Sequence, residues 1–256
     1  MADYAAYLRD VVGRGDLAVS TAPNRLSSVN RTMAALRGDQ CVTLPSPSKA
    51  LGMQRTGVRQ SLPQGQDRKQ VQQIVDALCR HHQLRAAAIV LLARATGMRL
   101  REAILADLPR LSREATNLGR INIQEGTKGR RTGASAPRWV TVDDQIRGAL
   151  GFAMQVSPVG SPNLITAHES YLNFLQEIVR PARDILNVRH LKGFHELRAA
   201  YAWKRYEQIT HNRTPINGGQ CCLVDKNLDR EARRQISYEL GHGRINVVAA
   251  YSGGRP

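Results

Sequence analysis

Only two stretches of this chain read as β-strands, and they constrain the fold more than any other feature. Ile121 and Ile123 alternate with polar residues over 119–124, and Trp139, Val140 and Val142 make 137–142 rich in strand formers. Between them lies a basic, Gly-rich turn, Gly126-Thr127-Lys128-Gly129-Arg130-Arg131. The pair predicts a hairpin, and nearly everything around it has helical spacing. The expected fold is therefore mainly α with a small antiparallel β-sheet.

The helices follow from apolar periodicity. Tyr4, Tyr7, Leu8 and Val11 predict a helix over 3–12. Ser20 or Thr21 can cap a second one to about Arg37, with Leu26, Val29, Met33 and Leu36 on one face and Gly38 as its stop. Residues 43–66 carry Pro45, Pro47 and Pro63 and read as a linker with one short helix. A boundary is expected near residue 64, giving a short helical N-terminal domain with its linker over 1–63 and a larger domain over 64–256. In the latter, helices are predicted over 67–82 and 83–95, the second rich in Ala, Leu and Val and so buried. Thr96-Gly97 breaks that helix, and a short one continues from Arg99 to Asp107. Beyond the hairpin the spacing predicts helices over 143–155, 169–187 (kinked at Pro181), 195–210, 228–240 and 245–251.

Charge narrows the partners. Lys and Arg number 37 against 21 Asp and Glu, a formal net charge of +16. Residues 1–63 hold eight basic and four acidic groups, so +12 falls on the remainder and no single tail carries the excess. Such a balance favours a polyanion: DNA, RNA or an anionic membrane surface. No run of about 18 apolar residues is present, so no membrane span is expected. The start, Met1-Ala2-Asp3-Tyr4, lacks the basic and apolar regions of a signal peptide. Of four cysteines, Cys221 and Cys222 are adjacent and Cys41 and Cys79 stand alone, so neither a metal site nor a disulfide framework is expected and a reducing cytoplasm fits. The sequence has no Walker-type phosphate loop and no acidic cluster suited to two-metal nuclease chemistry. His81-His82 reads as a solvated helix end.

The chemistry lies in motifs that recur in a fixed order. Thr96-Gly97-Met98-Arg99-Leu100-Arg101-Glu102 comes first, then Lys128 in the hairpin turn, then His195-Glu196-Leu197-Arg198, Leu240-Gly241-His242 and Tyr251, nine residues after His242. A phosphodiester repels nucleophiles and has a poor alkoxide leaving group, so cleavage without a metal needs positive charge, a nucleophile and a proton source. Arg99 and Arg198 offer planar forks matched to phosphate oxygens. Arg99 follows the Thr-Gly break and so points away from a regular helix face, with Glu102 three residues on to orient it. Arg101 competes with Arg99 for that role. His195 and Arg198 share a helix face at i, i+3, where His195 can accept a proton or hydrogen-bond a phosphate oxygen. Tyr251 is the candidate nucleophile; a free phenol titrates near pH 10, about three units above neutrality, so it needs a base or a cationic setting.

In this order, over roughly residues 70 to 251, the chain resembles the tyrosine recombinases, the phage-type integrases. The resemblance selects Arg99 over Arg101, because the family's arginine directly follows the Gly-hydrophobic pair. It implies that His242 donates a hydrogen bond to the phosphate and that Lys128 protonates the leaving 5′-oxygen, with Arg130, Arg131 and Arg138 as DNA-backbone contacts. It implies cleavage and rejoining of double-stranded DNA through a 3′-phosphotyrosine, with no metal, ATP or other cofactor. It also implies two domains clamping the duplex: a helical core-binding domain, here a reduced SAM-like version over 1–63, and the catalytic domain over 64–256. Homotetramers on two DNA sites are expected, with accessory DNA-bending or directionality proteins as further partners and a bacterial, nucleoid-associated location. The stretches Ser28 to Arg37 and Tyr251-Ser252-Gly253 look closest to integrases of bacterial mobile and integrative conjugative elements. Only five residues follow Tyr251, so the expectation is either assembly through a contact other than a swapped C-terminal tail or a truncated chain. The related alternatives are a type IB topoisomerase and a DNA-binding descendant without activity.

Overall fold

In the computed structural model, residues 2–39, 47–53, 57–127, 137–219 and 224–254 are described. They form two compact units, Met1–Gly57 and Val58–Pro256. No helix among them is long and apolar enough to cross a membrane.

The smaller unit holds α1 (Ala2–Gly13), α2 (Thr21–Arg37) and α3 (Pro47–Leu51) around a core of Ala5, Leu8, Ala22, Leu26 and Leu51. The sequence expectation for its buried faces is only half met. Leu8 and Leu26 are buried, but Tyr7 and Leu36 are exposed and Val29 and Met33 only partly covered. With so short a bundle, small residues one turn away, Ala5 and Ala22, pack inside instead. Neither expected cap acts on α2: Ser20 takes the cap position but makes no side-chain cap hydrogen bond.

The larger unit is built around α5 (Leu84–Thr96), which is buried along most of its length as its composition predicts. Packed on it are α4 (Arg68–Arg80), α8 (Asp144–Val156) and α11 (Phe194–Thr210). A helix of Ala and medium-sized apolar residues can be surrounded in this way because no polar face needs water. Asp67 caps α4 by accepting from the Lys69 N–H, and Asp143 caps α8 by accepting from the Ile146 N–H. After α5 come α6 (Leu100–Leu105) and α7 (Leu108–Leu118). The sequence assigns no element to the latter. Asp107 caps it and Pro109 sits in its first turn, where a missing N–H costs nothing, so the proline starts a helix there.

The two predicted strands pair and are shorter than expected. Strand β1 (Arg120–Asn122) pairs antiparallel with β2 (Trp139–Thr141), Ile121 opposite Val140. Farther on, the predicted 169–187 helix runs as α9 (Tyr171–Phe174), a π-helical turn (Leu175–Val179) and α10 (Arg180–Val188). The expected irregularity therefore precedes Pro181, which cannot donate to the Glu177 carbonyl; one wider turn absorbs the mismatch. The chain closes with α12 (Lys226–Glu239), a 3-10 turn (Ile245–Val248) and α13 (Ala249–Ser252).

The stretch after Gly57, read from sequence as linker, belongs to the larger unit. The Arg59 N–H donates to the Ala249 carbonyl at 3.0 Å, and its guanidinium pairs with Glu196 at 2.5 Å. Gln64 spans the same seam, its N–H donating to Glu196 and its side-chain oxygen accepting from the Lys192 N–H. No periodicity signals such a strap, because its bonds reach more than a hundred residues along the chain.

Candidate active site

The Thr-Gly-Met-Arg motif ends one helix and starts another. Thr96 turns its hydroxyl back onto the Leu92 carbonyl and accepts from the Met98 N–H, and Met98 is buried. Gly97 has φ +69°, and a Cβ there would lie 2.6 Å from Tyr201 Cδ1. Its carbonyl is the reason for the geometry: Arg198 Nη1 donates to it at 2.5 Å and Arg138 Nη2 at 3.2 Å. Gly97→Ala combines a disfavoured backbone with overpacking and should cost about 2–4 kcal/mol of stability. Urea titration checks this; a loss under about 1 kcal/mol means that the turn relaxes freely.

Arg99 follows as the N-cap of α6, its backbone extended, so its side chain leaves the helix and faces a cleft. Glu102, with no exposed surface, accepts from the Arg99 N–H at 2.7 Å and from Arg99 Nη1 at 2.5 Å. Glu102 thus touches both the backbone and the guanidinium of Arg99. Its other partners are Arg138, at 2.6 Å, and Arg198, at 3.7 Å. Burial opposes ionisation of this carboxyl, but the Arg138 charge and the Arg99 N–H outweigh it and hold its pKa below the usual value.

Arg198, one turn into α11 after His195, is 1% exposed. Besides Gly97 it donates to the Leu240 carbonyl at 2.5 Å. Burial first, then neighbouring Arg138, lowers its pKa to about 10, which leaves it charged at neutral pH. Leu240 and Gly241 follow α12; Gly241 has φ +64°, and a Cβ there would lie 3.2 Å from Arg138 Cδ. This turn delivers His242, whose Nε2 lies 2.8 Å from the Tyr251 hydroxyl oxygen and 3.2 Å from Arg198 Nη2. Tyr251 is 4% exposed, and Arg198 Nε donates to its oxygen at 3.3 Å. Beyond it, Arg233 of α12 donates to the Gly253 carbonyl and so pins the end of α13.

Arg99, His195, Arg198, His242 and Tyr251 therefore line one cleft of about 1000 Å³. Gly126 lies at its edge, but Lys128, Arg130 and Arg131 fall outside the described residues. Two expectations change. Arg138 is not a DNA-backbone contact: it is 2% exposed, and its guanidinium is consumed by Glu102, Gly97 and the Glu239 carbonyl. Unlike Arg198, it lines no part of the cleft. And the group bonded to the tyrosine oxygen is His242, whereas the His195 ring meets Tyr251 only as a tilted neighbour at 5.7 Å. Arg101, from the first motif, and two residues that no motif marks, Arg183 and Lys192, complete the cleft wall. Arg101 lies over the Tyr171 ring, and Arg183 and Lys192 have no ion pair among the described residues. Arg183 and Asn187, at i, i+4 on α10, are the one signal that could have been read.

The cluster favours neutral imidazoles. Burial, then the Arg198, Arg99 and Arg138 charges, pushes His242 down to about 4; partial enclosure and Arg198 lower His195 as well. A neutral His242 carrying its proton on Nδ1 can accept through Nε2 from Tyr251. In an unfolded chain the same imidazole titrates near 6.5, so the unfolded state binds its proton first. Stability contributed by His242 is then complete above about pH 6.5 and is lost as pH falls toward 4. Between those values the melting temperature of the native chain should fall faster than that of His242→Asn; parallel curves would show that this histidine is not the depressed group. Among the described residues no three His, Cys, Asp or Glu side chains converge as a metal-ligand set.

No protein-family model matches this sequence, and no curated protein sequence does either. A solved structure does: the Tn1549 transposon integrase, residues 82–397, in complex with circular intermediate DNA, with a TM-score of 0.58. The chain shares its fold with that integrase. Identity is 13%, and the match covers 99% of this chain and 81% of the other. At that identity the likeness is one of architecture, mainly helical with a small antiparallel sheet.

Proposed function

We propose that this chain is a site-specific DNA recombinase of the tyrosine recombinase family, an integrase of a bacterial mobile element. One observation carries the reading. Side chains from four separated segments, residues 99, 195–198, 242 and 251, meet in one cationic cleft with the Tyr251 hydroxyl oxygen 2.8 Å from His242 Nε2. The shared fold with a transposon integrase supports it.

In the proposed reaction the Tyr251 oxygen attacks the scissile phosphorus, a new Tyr–O–P bond forms and the bond to the 5′-oxygen breaks. The phenolic proton passes to His242, the acceptor 2.8 Å away. Arg99 and Arg198 hold the non-bridging oxygens as charge grows on them. His195, at the rim, is left to hydrogen-bond a phosphate oxygen. Lys128 supplies the proton for the departing 5′-oxygen. Reversal with a different 5′-hydroxyl reseals DNA without ATP, because the phosphotyrosine conserves the bond energy. Arg101, Arg183 and Lys192 would take neighbouring phosphates, which makes affinity strongly salt-dependent. The helical unit Met1–Gly57 serves as the core-binding domain, and tetramers on two sites exchange strands.

The test is covalent trapping on nicked duplexes tiled across the DNA flanking the gene, with EDTA present. The expected result is a protein–DNA band that survives SDS. Loss of the band in EDTA with recovery on added magnesium would overturn the metal-free chemistry. Salt-sensitive binding with no band on any duplex would favour an inactive DNA-binding descendant, and relaxation of supercoiled DNA without paired sites would favour a topoisomerase.

A further inference from the structure

Arg138 is buried beside the site and touches none of the cleft. Its three donors reach three different segments. Nη1 donates to Glu102 of α6, Nη2 to the Gly97 carbonyl of the turn before Arg99, and Nε to the Glu239 carbonyl at the end of α12. Glu239 is itself held by Tyr201 and Arg205 of α11, the helix that carries Arg198. Gly241 leaves room for the Arg138 side chain, since any Cβ would press on its Cδ. Arg99, Arg198 and His242 thus hang from segments that one guanidinium joins.

Charge gives Arg138 a second effect. Arg99, Arg138 and Arg198 surround the single Glu102 carboxylate, so the cluster keeps two net positive charges. Arg138 occupies Glu102 Oε2 at 2.6 Å, while Arg198 Nη1 stays 3.7 Å from the same oxygen. Without Arg138 that oxygen would draw in Arg198, and one of the two surplus charges would vanish from the cleft.

We propose that Arg138 is a positioning residue of the site: it braces the segments bearing Arg99, Arg198 and His242 and, by occupying Glu102 Oε2, keeps Arg198 out of a close ion pair with that oxygen and its charge available to a phosphate. The part that concerns phosphate rests on the recombinase reading; the brace and its charge do not. Facing His242 are Arg198 and, across Tyr251, His195 of α11, Arg99 and Glu102 of α6, Arg138 ahead of β2, and Tyr251 of α13. Removing one cation from this set should let His242 bind a proton more readily.

The experiment is an NMR titration of the His242 ring in the full chain, without DNA, assigned with His242→Asn. Arg138→Met and Arg138→Gln should move the midpoint upward by roughly one pH unit, while Arg138→Lys, which keeps the charge, should leave it within a few tenths. Equal midpoints in all variants, or a lysine variant that moves as far as the neutral ones, would overturn the proposal; a role in packing alone moves none of them. Should neither neutral variant fold, Arg138→Lys decides the brace. An ammonium cannot span three acceptors, so trapping should slow about a hundredfold with duplex affinity unchanged. A lysine variant trapping at the native rate overturns it. Titration shifts in the variants together with a native chain that forms no adduct with any duplex sink the recombinase reading and leave the brace standing.

Discussion

Tyr251→Phe should abolish the SDS-stable adduct altogether while duplex affinity stays within about twofold. Phenylalanine keeps the ring, which is 4% exposed and packed between His195, His242 and the Arg198 guanidinium, so α13 retains its seat. Only the hydroxyl goes, with its contacts to His242 and Arg198. Two hydrogen bonds of this kind are worth about 1 kcal/mol each, too little to unfold a unit of this size. Affinity survives because backbone contacts by Lys and Arg dominate it. The checks are the trapping gel and a filter-binding isotherm at fixed salt. Residual adduct in the variant would place the nucleophile elsewhere, and a large loss of affinity would mean that Tyr251 binds and does not attack.

Arg99→Ala and Arg198→Ala should each slow single-turnover cleavage by about a hundredfold or more, since each removes a donor from the developing charge at phosphorus. Their effects on stability should differ sharply. Arg99 retains a quarter of its side-chain surface, so water can replace it at Glu102 Oε1, and its removal should cost about 1 kcal/mol. Arg198 is buried, and truncation strands the Leu240 carbonyl, leaves the Gly97 carbonyl to Arg138 alone and opens a cavity, at a cost of about 3 kcal/mol. Arg198→Lys, which keeps the charge but not the fork, separates lost chemistry from lost fold. Unchanged cleavage in both alanine variants would mean that the phosphate clamp lies elsewhere in the cleft.

The two arginines also show how far a sequence can be read. The Thr-Gly break, the i, i+3 pair His195 and Arg198, and the turn before His242 are local devices. Each sets the direction of a side chain through bonds spanning two to five residues, such as Thr96 to Leu92 or His242 to Ser237. For the same reason the buried composition of α5, the short hairpin and the mainly helical architecture were legible. Helix α7 was not, because a proline in a first turn and a proline that ends a helix look alike in one dimension.

What tertiary structure alone decided is where charge is buried. Arg138 and Arg198 are both arginines flanked by apolar neighbours, and nothing local tells a surface contact from an internal brace. Arg138 is buried because its acceptors are supplied from 36, 41 and 101 residues away. The choice of His242 over His195 as partner of the tyrosine oxygen has the same origin. Both are histidines at helix ends, and only the packing of α12 and α13 against α11 brings one imidazole to 2.8 Å and leaves the other at the rim. Spacing along the chain set which side chains were available. Their protonation and reach were set by desolvation and by charges from distant segments, which act through space and leave no trace in a local pattern.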